Sequence, residues 1–327
     1  MRALVLGATG HIGAHTVRQL LLEGHTVRAA IRSERFISVL DKLPVERSHV
    51  DLDTGEGLKE ALDGCDWVFH AAGYYPGYQA DRNQALSRGI GTIKQTLEAF
   101  QKADLKRIVF VSSAATIARI PGRLANEQDA ETWPLNSPRP LYATVKIAME
   151  NEVMVASRAG LPIVTVNPTV CLGEYDAHFF SGRLILAFAK YRLPFYMDKT
   201  VSTIYTGDVA VGLLRAAEKG KTGERYLLTH QAVALKELAL ITCRLAGCPP
   251  PFIRLPLVVA RLASEISEGI AWAVRTEPLI PREMVRNARI SQELDGSKAV
   301  RELGIPQTSP EESIRRALAW FRQAGYL

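Results

Sequence analysis

The chain has 327 residues, 47% of them hydrophobic and 23% charged. That balance excludes a disordered chain, a collagen and a coiled coil, and at about 150 residues per domain the length implies roughly two domains. Forty Lys and Arg against 34 Asp and Glu give a net charge of +6 and an isoelectric point near 9.1. The excess is spread thinly, with no basic run, so nucleic acid is not an expected partner.

The four cysteines, at 65, 171, 243 and 248, form no C-x2-C pair, and the seven histidines show no metal spacing. Neither a disulfide scaffold nor a metal site is expected, and a reducing, cytoplasmic setting fits. Met1-Arg2-Ala3-Leu4-Val5-Leu6 already has the pattern of a buried strand rather than a signal peptide. The most apolar later stretch, 252–273, carries Arg254, Arg261, Glu265 and Glu268, which argues for an amphipathic helix and against a membrane span.

In chain order, Leu4-Val5-Leu6 reads as a central strand and runs into Gly7-Ala8-Thr9-Gly10-His11-Ile12-Gly13. Gly13, Val17, Leu20 and Leu21 share one face of a helix that Gly24 would stop. Strands follow at 25–31 and 45–50, a short helix at 57–62, a strand at 67–70 and a long helix at 81–103. Next come a strand at 107–111 that ends in Ser112-Ser113, a helix at 142–159 and a strand at 162–166. Such alternation predicts a Rossmann-type, doubly wound parallel sheet with helices on both faces, whose ligands bind beyond the carboxyl ends of the strands.

A glycine loop between strand and helix suits a dinucleotide pyrophosphate. Gly7 permits the tight turn, Gly10 lets backbone amides approach the phosphates, and Gly13 lets helix and sheet pack closely. At the end of the second strand, where an acid would bind a ribose hydroxyl, the chain has Ile31-Arg32-Ser33-Glu34-Arg35. Arg32 and Arg35 suit a 2′-phosphate, so NADP is expected, with NAD the less favoured alternative through Glu34.

Tyr142 and Lys146 form Y-x-x-x-K, which places both side chains on one helix face. A nearby ammonium favours the phenolate, and a phenol so tuned can exchange a proton with a carbonyl or alcohol oxygen. Ser113, at a strand end, can donate a hydrogen bond to that same oxygen.

The order glycine loop, Ser-Ser, Tyr/Lys helix resembles the extended short-chain dehydrogenase/reductases. Further matches are Asp51-Leu52, His70-Ala71-Ala72, Val111-Ser112-Ser113-Ala114, Asn167-Pro168, Gly207-Asp208-Val209-Ala210, Gly223-Glu224-Arg225-Tyr226 and Asp295-Gly296-Ser297-Lys298-Ala299. Within that superfamily the chain is most similar to dihydroflavonol-4-reductase-like reductases and hopanoid-associated sugar epimerases. The resemblance implies that Thr9, His11 and Ile12 join the glycines at the cofactor and that Asp51 and Leu52 meet the adenine. It also implies that Ala71, Ala72 and Ser112 line the cofactor and that Pro168 and Thr169 lie by the nicotinamide. Arg88 occupies the position where relatives carry a proton-relay asparagine, and the carboxylates of a 4,6-dehydratase are missing after Ser113.

After Pro168 the alternation breaks. The reading is a dinucleotide-binding domain over 1–170, to which 203–229 returns, and a smaller interleaved C-terminal substrate lobe over 171–202 and 230–327. Residues 230–300 read as mostly helical, and the final helix, 309–323, reads as packing through Ile314, Leu318 and Phe321. Tyr74 and Tyr75 are candidates to overhang the substrate, as is His178, though all three also suit ordinary loop or core positions. The expected function is an NADP-dependent oxidoreductase acting on a carbonyl or secondary alcohol. The alternatives are a nucleotide-sugar epimerase that keeps its cofactor, for which Arg183 and Arg192 are scattered phosphate candidates, and a non-catalytic dinucleotide sensor. The helices at 84–102 and 142–158 pair subunits in many relatives, which makes a homodimer possible.

Overall fold

A computed structural model describes residues 1–77, 80–120, 122–131, 140–274, 285 and 293–327. Six strands arrive in the expected sequence: β1 (Arg2–Leu6), β2 (Thr26–Ile31), β3 (Glu46–His49), β4 (Trp67–His70), β5 (Arg107–Val111) and β6 (Ile163–Pro168). Between them lie α1 (His11–Leu22), α2 (Leu58–Leu62), α3 (Arg82–Gln101) and α4 (Leu141–Arg158). The strands stand in the order β3-β2-β1-β4-β5-β6, all parallel, with β10 (Arg225–Leu228) joining β6 as a seventh. The order reverses between β1 and β4, and the crevice at such a switch point is where α/β sheets bind ligands.

Side-chain alternation along the strands builds two cores from one sheet. On one face Ala3, Val5, Phe69, Val109, Val111, Val164 and Val166 meet Val17 and Leu20 of α1. On the other, Leu4, Leu6, Val68, Ile108, Phe110 and Ile163 meet Ile93 and Phe100 of α3 and Val145 and Met149 of α4. Strand β1 belongs equally to both, and its residues 3–5 are fully buried.

Beyond β6 the chain forms a second unit. Strand β7 (Val170–Leu172), strand β9 (Thr200–Tyr205) and strand β11 (Gln231–Ala234) make a three-stranded sheet, while β8 (Phe195–Tyr196) and β12 (Ile253–Arg254) pair separately. Residues 203–205, counted from sequence with the large domain, thus belong to this smaller sheet. Its core joins Leu172, Ile185, Val201 and Leu238 to Ile314, Leu318 and Phe321 of the final helix, Pro310–Gln323. A helix at Leu257–Val274 leaves Val258, Leu262, Ile266 and Ile270 exposed. Residues 275–284 and 286–292, beyond that helix, lie outside the described residues. Among the described residues no helix is long and apolar enough to cross a membrane.

Candidate active site

The glycine loop is shaped by backbone contact. Gly7 has φ +78°, a conformation that disfavours any side chain. A methyl group added there would lie 2.8 Å from the amide nitrogen of Ala72, so the loop is pressed against the end of β4 where Ala71 and Ala72 sit. At Gly13 a methyl would lie 2.1 Å from the Gly7 carbonyl oxygen, and at Gly10 it would lie 3.2 Å from the same atom. No side chain caps α1, and its first turn holds no carboxylate. The N–H groups at this helix start, with their partial positive charge, face a cradle that glycines keep open, which suits a pyrophosphate. Thr9 is half-buried on the loop, and Ile12 packs into the core beneath it. The buried Ser112 hydroxyl has no hydrogen-bond partner, an open bonding position at the end of β5.

His11 turns its side chain away from the loop. Its Nε2 lies 2.8 Å from the Thr206 hydroxyl and its Nδ1 3.9 Å from the Asp176 carboxylate. Burial lowers its pKa against the pull of that carboxylate. Asp176, itself fully buried, accepts backbone N–H bonds from Phe180 (3.1 Å), Ser181 (3.2 Å) and Gly182 (2.7 Å). It thereby fixes the loop that carries His178 and Phe180.

At the far end of the cleft Arg32 is exposed and stands 3.7 Å from the Asp53 carboxylate, while Arg35 lies over the Phe36 ring at 5.0 Å. Asp51 accepts the Asp53 N–H at 2.8 Å, closing a turn after β3, and Leu52 packs on the sheet. Arg88 is committed to Asp53 through its Nε and Nη2, a bidentate pairing along one guanidinium edge, and lies 5.1 Å over the Tyr74 ring. The structure therefore takes the residue at the relay position, and Tyr74 with it, towards Asp53 and the α3 side of the sheet. Tyr74 does not join Tyr142.

Ser113, Tyr142 and Lys146 do come together. The Ser113 hydroxyl accepts the Ala115 N–H at 3.1 Å, which orients its own proton to the Tyr142 oxygen. The Tyr75 hydroxyl is hydrogen-bonded to that same oxygen. Lys146 is buried, with its Nζ 5.9 Å from the centre of the Tyr142 ring, and the missing side chain of Gly73 leaves room for it. Burial brings its pKa down to about 8.

One expectation fails here. The Tyr142 phenol is shifted above its ordinary value, not below it, because burial outweighs the bonds from Ser113 and Tyr75. Behind the helix face, Glu150 continues the i, i+4, i+8 series from Tyr142 and Lys146. It pairs with Arg225 at 2.6 Å and accepts from Asn167 (2.7 Å) and Thr116 (3.0 Å). Asn167 also donates to the Ser113 carbonyl at 3.3 Å. Sequence reasoning missed Glu150 and Thr116, although the eight-residue spacing to Tyr142 was a usable signal.

Four rings extend from Tyr142 across the cleft. Tyr75 stacks on it at 5.0 Å and 12°, Phe180 on Tyr75 at 4.2 Å and His178 on Phe180 at 5.8 Å, while Phe36 meets His178 at 4.2 Å with its ring tilted by 54°. His178 is thus two rings removed from Tyr142, at the Arg35 end. Pro168 closes β6, and Thr169 bonds the Leu228 carbonyl at 3.0 Å through its N–H.

Residues 3–228 match the model of the NAD dependent epimerase/dehydratase family. The chain belongs to that family. It is an NAD(P)-dependent enzyme of the extended short-chain dehydrogenase/reductase type. It is 31% identical to a putative dihydroflavonol 4-reductase of Synechocystis over 99% of this chain and 95% of that protein. It is also 31% identical to the 4-hydroxy-2-methyl-3-oxo-4-farnesyl-3,4-dihydroquinoline-1-oxide ketoreductase of Stigmatella aurantiaca, over 99% of this chain and 97% of the other. Among solved structures, PA4631, described as a nucleoside-diphosphate-sugar epimerase from Pseudomonas aeruginosa, superposes with a TM-score of 0.82. It is 29% identical and covers 100% of this chain and 99% of its own.

Proposed function

We propose that the protein is an NADP-dependent carbonyl reductase, or in reverse a dehydrogenase of secondary alcohols, with Tyr142 as general acid and base. The observation that carries this reading is the convergence of Ser113, Tyr142 and Lys146, with Ser113 hydrogen-bonded to Tyr142 and the Lys146 Nζ 5.9 Å from the Tyr142 ring. Gly7, Thr9, Gly10 and Gly13, with the backbone of His11 and Ile12, would hold the pyrophosphate. Asp51 and Leu52 would meet the adenine, and Arg32 and Arg35 the 2′-phosphate. Ala71, Ala72, Ser112, Pro168 and Thr169 would line the nicotinamide half. A nicotinamide held there supplies or accepts the hydride. Ser113 turns its hydroxyl to the substrate oxygen, Tyr142 gives that oxygen its proton, and the Lys146 ammonium steadies the phenolate left behind. The reductase names of two full-length relatives support this direction.

The name of the Pseudomonas structure favours a second reading, sugar inversion with retained cofactor. Both readings can be tested by identifying any dinucleotide that copurifies and following NADPH and NADH oxidation with ketones, aldehydes and nucleotide sugars. Net carbonyl turnover, at least about tenfold better with NADPH, supports the proposal. Retained cofactor and inversion without net redox would favour the epimerase. Tyr142→Phe should lower turnover about 10²- to 10⁴-fold, and full activity in that variant would end both readings.

A further inference from the structure

We propose that Glu150 and Thr116 are positioning residues, which hold the Ser113 hydroxyl in register with Tyr142. The inference rests on the reductase reading above, in which both hydroxyls must reach one substrate oxygen. Those hydroxyls stand on different elements. Ser113 follows β5, while Tyr142 and Lys146 stand on α4. Their alignment therefore depends on what joins the end of β5 to the helix, and a misplacement of about 1 Å costs on the order of 10²-fold in rate.

A buried polar network makes that join. Glu150 lies about two turns along α4 from Tyr142, on the same face. Its Oε2 accepts from the Asn167 amide at 2.7 Å and lies 3.0 Å from the Thr116 hydroxyl. That hydroxyl is also 2.9 Å from the Ser113 carbonyl oxygen, so its single proton is shared between the helix and the strand end. Asn167, on β6, donates as well to the Thr116 hydroxyl oxygen at 2.9 Å and to the Ser113 carbonyl at 3.3 Å. The Thr116 N–H adds a further bond to that carbonyl at 3.1 Å. The other Glu150 oxygen, Oε1, accepts from the Arg225 Nε at 2.6 Å, which ties the network to β10. Glu150, Thr116 and Asn167 are all buried. A buried ion pair seldom adds stability beyond a well-packed apolar pair, but it can select one geometry. Charged acceptors also form the shorter and stronger hydrogen bonds. The geometry selected here is the meeting of Ser113 with Tyr142.

Glu150→Gln would leave Arg225 without its carboxylate and destabilise the fold. The cleaner cut is Thr116→Val, which keeps nearly the same shape and removes the shared proton. In protein labelled with ¹³C at tyrosine Cζ, the Tyr142 resonance is assigned by its loss in Tyr142→Phe. It should move in Thr116→Val in the direction seen in Ser113→Ala, and return to its wild-type place in Thr116→Ser. With NADPH and phenanthrenequinone as the probe carbonyl, kcat should fall about tenfold in Thr116→Val, with KM within about twofold of wild type, and recover in Thr116→Ser. Added to Ser113→Ala, Thr116→Val should cost less than about twofold more, because its effect runs through Ser113. If Thr116→Val leaves the Tyr142 resonance in place, or if its loss of kcat multiplies with that of Ser113→Ala, the network is only packing and the proposal is wrong. If instead Tyr142→Phe keeps full turnover of the probe, the reductase reading itself falls. The Tyr142 resonance, which needs no substrate, would still decide whether Thr116 positions Ser113.

Discussion

The floor and the overhang of one cleft are built by opposite means. The floor is the glycine loop and the strand ends, where backbone touches backbone and β1 is sealed between two cores. The overhang is Tyr75 and the segment around Phe180, where rings 46% and 52% exposed lean on one another. In the floor, left-handed backbone falls on glycine. In the overhang it falls on Tyr175 (φ +64°) and Phe179 (φ +54°), which must be held there by their neighbours. Arg18 covers the Tyr175 ring at 3.7 Å, and Tyr326 meets Phe179 edge-on at 4.7 Å. The difference separates two tasks. A floor with no slack can hold a cofactor of fixed shape, while an overhang of side chains can be refitted to a new substrate without disturbing the sheet.

That contrast breaks first, if it breaks, at Gly13. Gly13→Ala should cost about 3 kcal/mol in denaturant unfolding and abolish dinucleotide binding, because the Gly7 carbonyl cannot retreat without moving β4. A variant of normal stability that still binds NADPH would show that the floor yields. Nearly as large is the acid response of buried imidazoles. Burial lowers His70, at the end of β4, to about 4, and lowers His11 and His15 as well. The unfolded chain, titrating near 6.5, binds the extra proton, so stability is full above about pH 6.5 and declines as pH falls towards 4. His70 alone accounts for about 3 kcal/mol of that decline. A flat denaturation midpoint between pH 7 and 5 would contradict it. The smallest effect belongs to the overhang. Phe180→Ala should change stability by less than about 1 kcal/mol while raising KM for a probe ketone, and a stability loss on the floor's scale would erase the distinction.

The floor was legible in the sequence because its rules are local. Three glycines at fixed spacing, alternation along short strands, and an i, i+4 pair each declare themselves within ten residues. The overhang was not, because its contacts span the chain. Nothing near Phe36 announces His178, and nothing near Tyr75 announces that its hydroxyl reaches Tyr142 while the adjacent Tyr74 turns to Arg88. The direction of the Tyr142 shift was missed for a related reason. Spacing places Lys146 on the right helix face, but it does not report burial, which raises the phenol.

The pairing of Glu150 with Arg225 also bears on how the protein is made. Glu150 is 2% exposed, and its cation lies 75 residues further along, on the strand that closes the sheet. A ribosome must deliver the whole intervening stretch before that carboxylate meets its charge, and an unpaired buried carboxylate is strongly unfavourable. The nascent helix α4 therefore cannot settle into its final place ahead of β10, and a chain cut short before residue 225 would emerge with its candidate site unfinished.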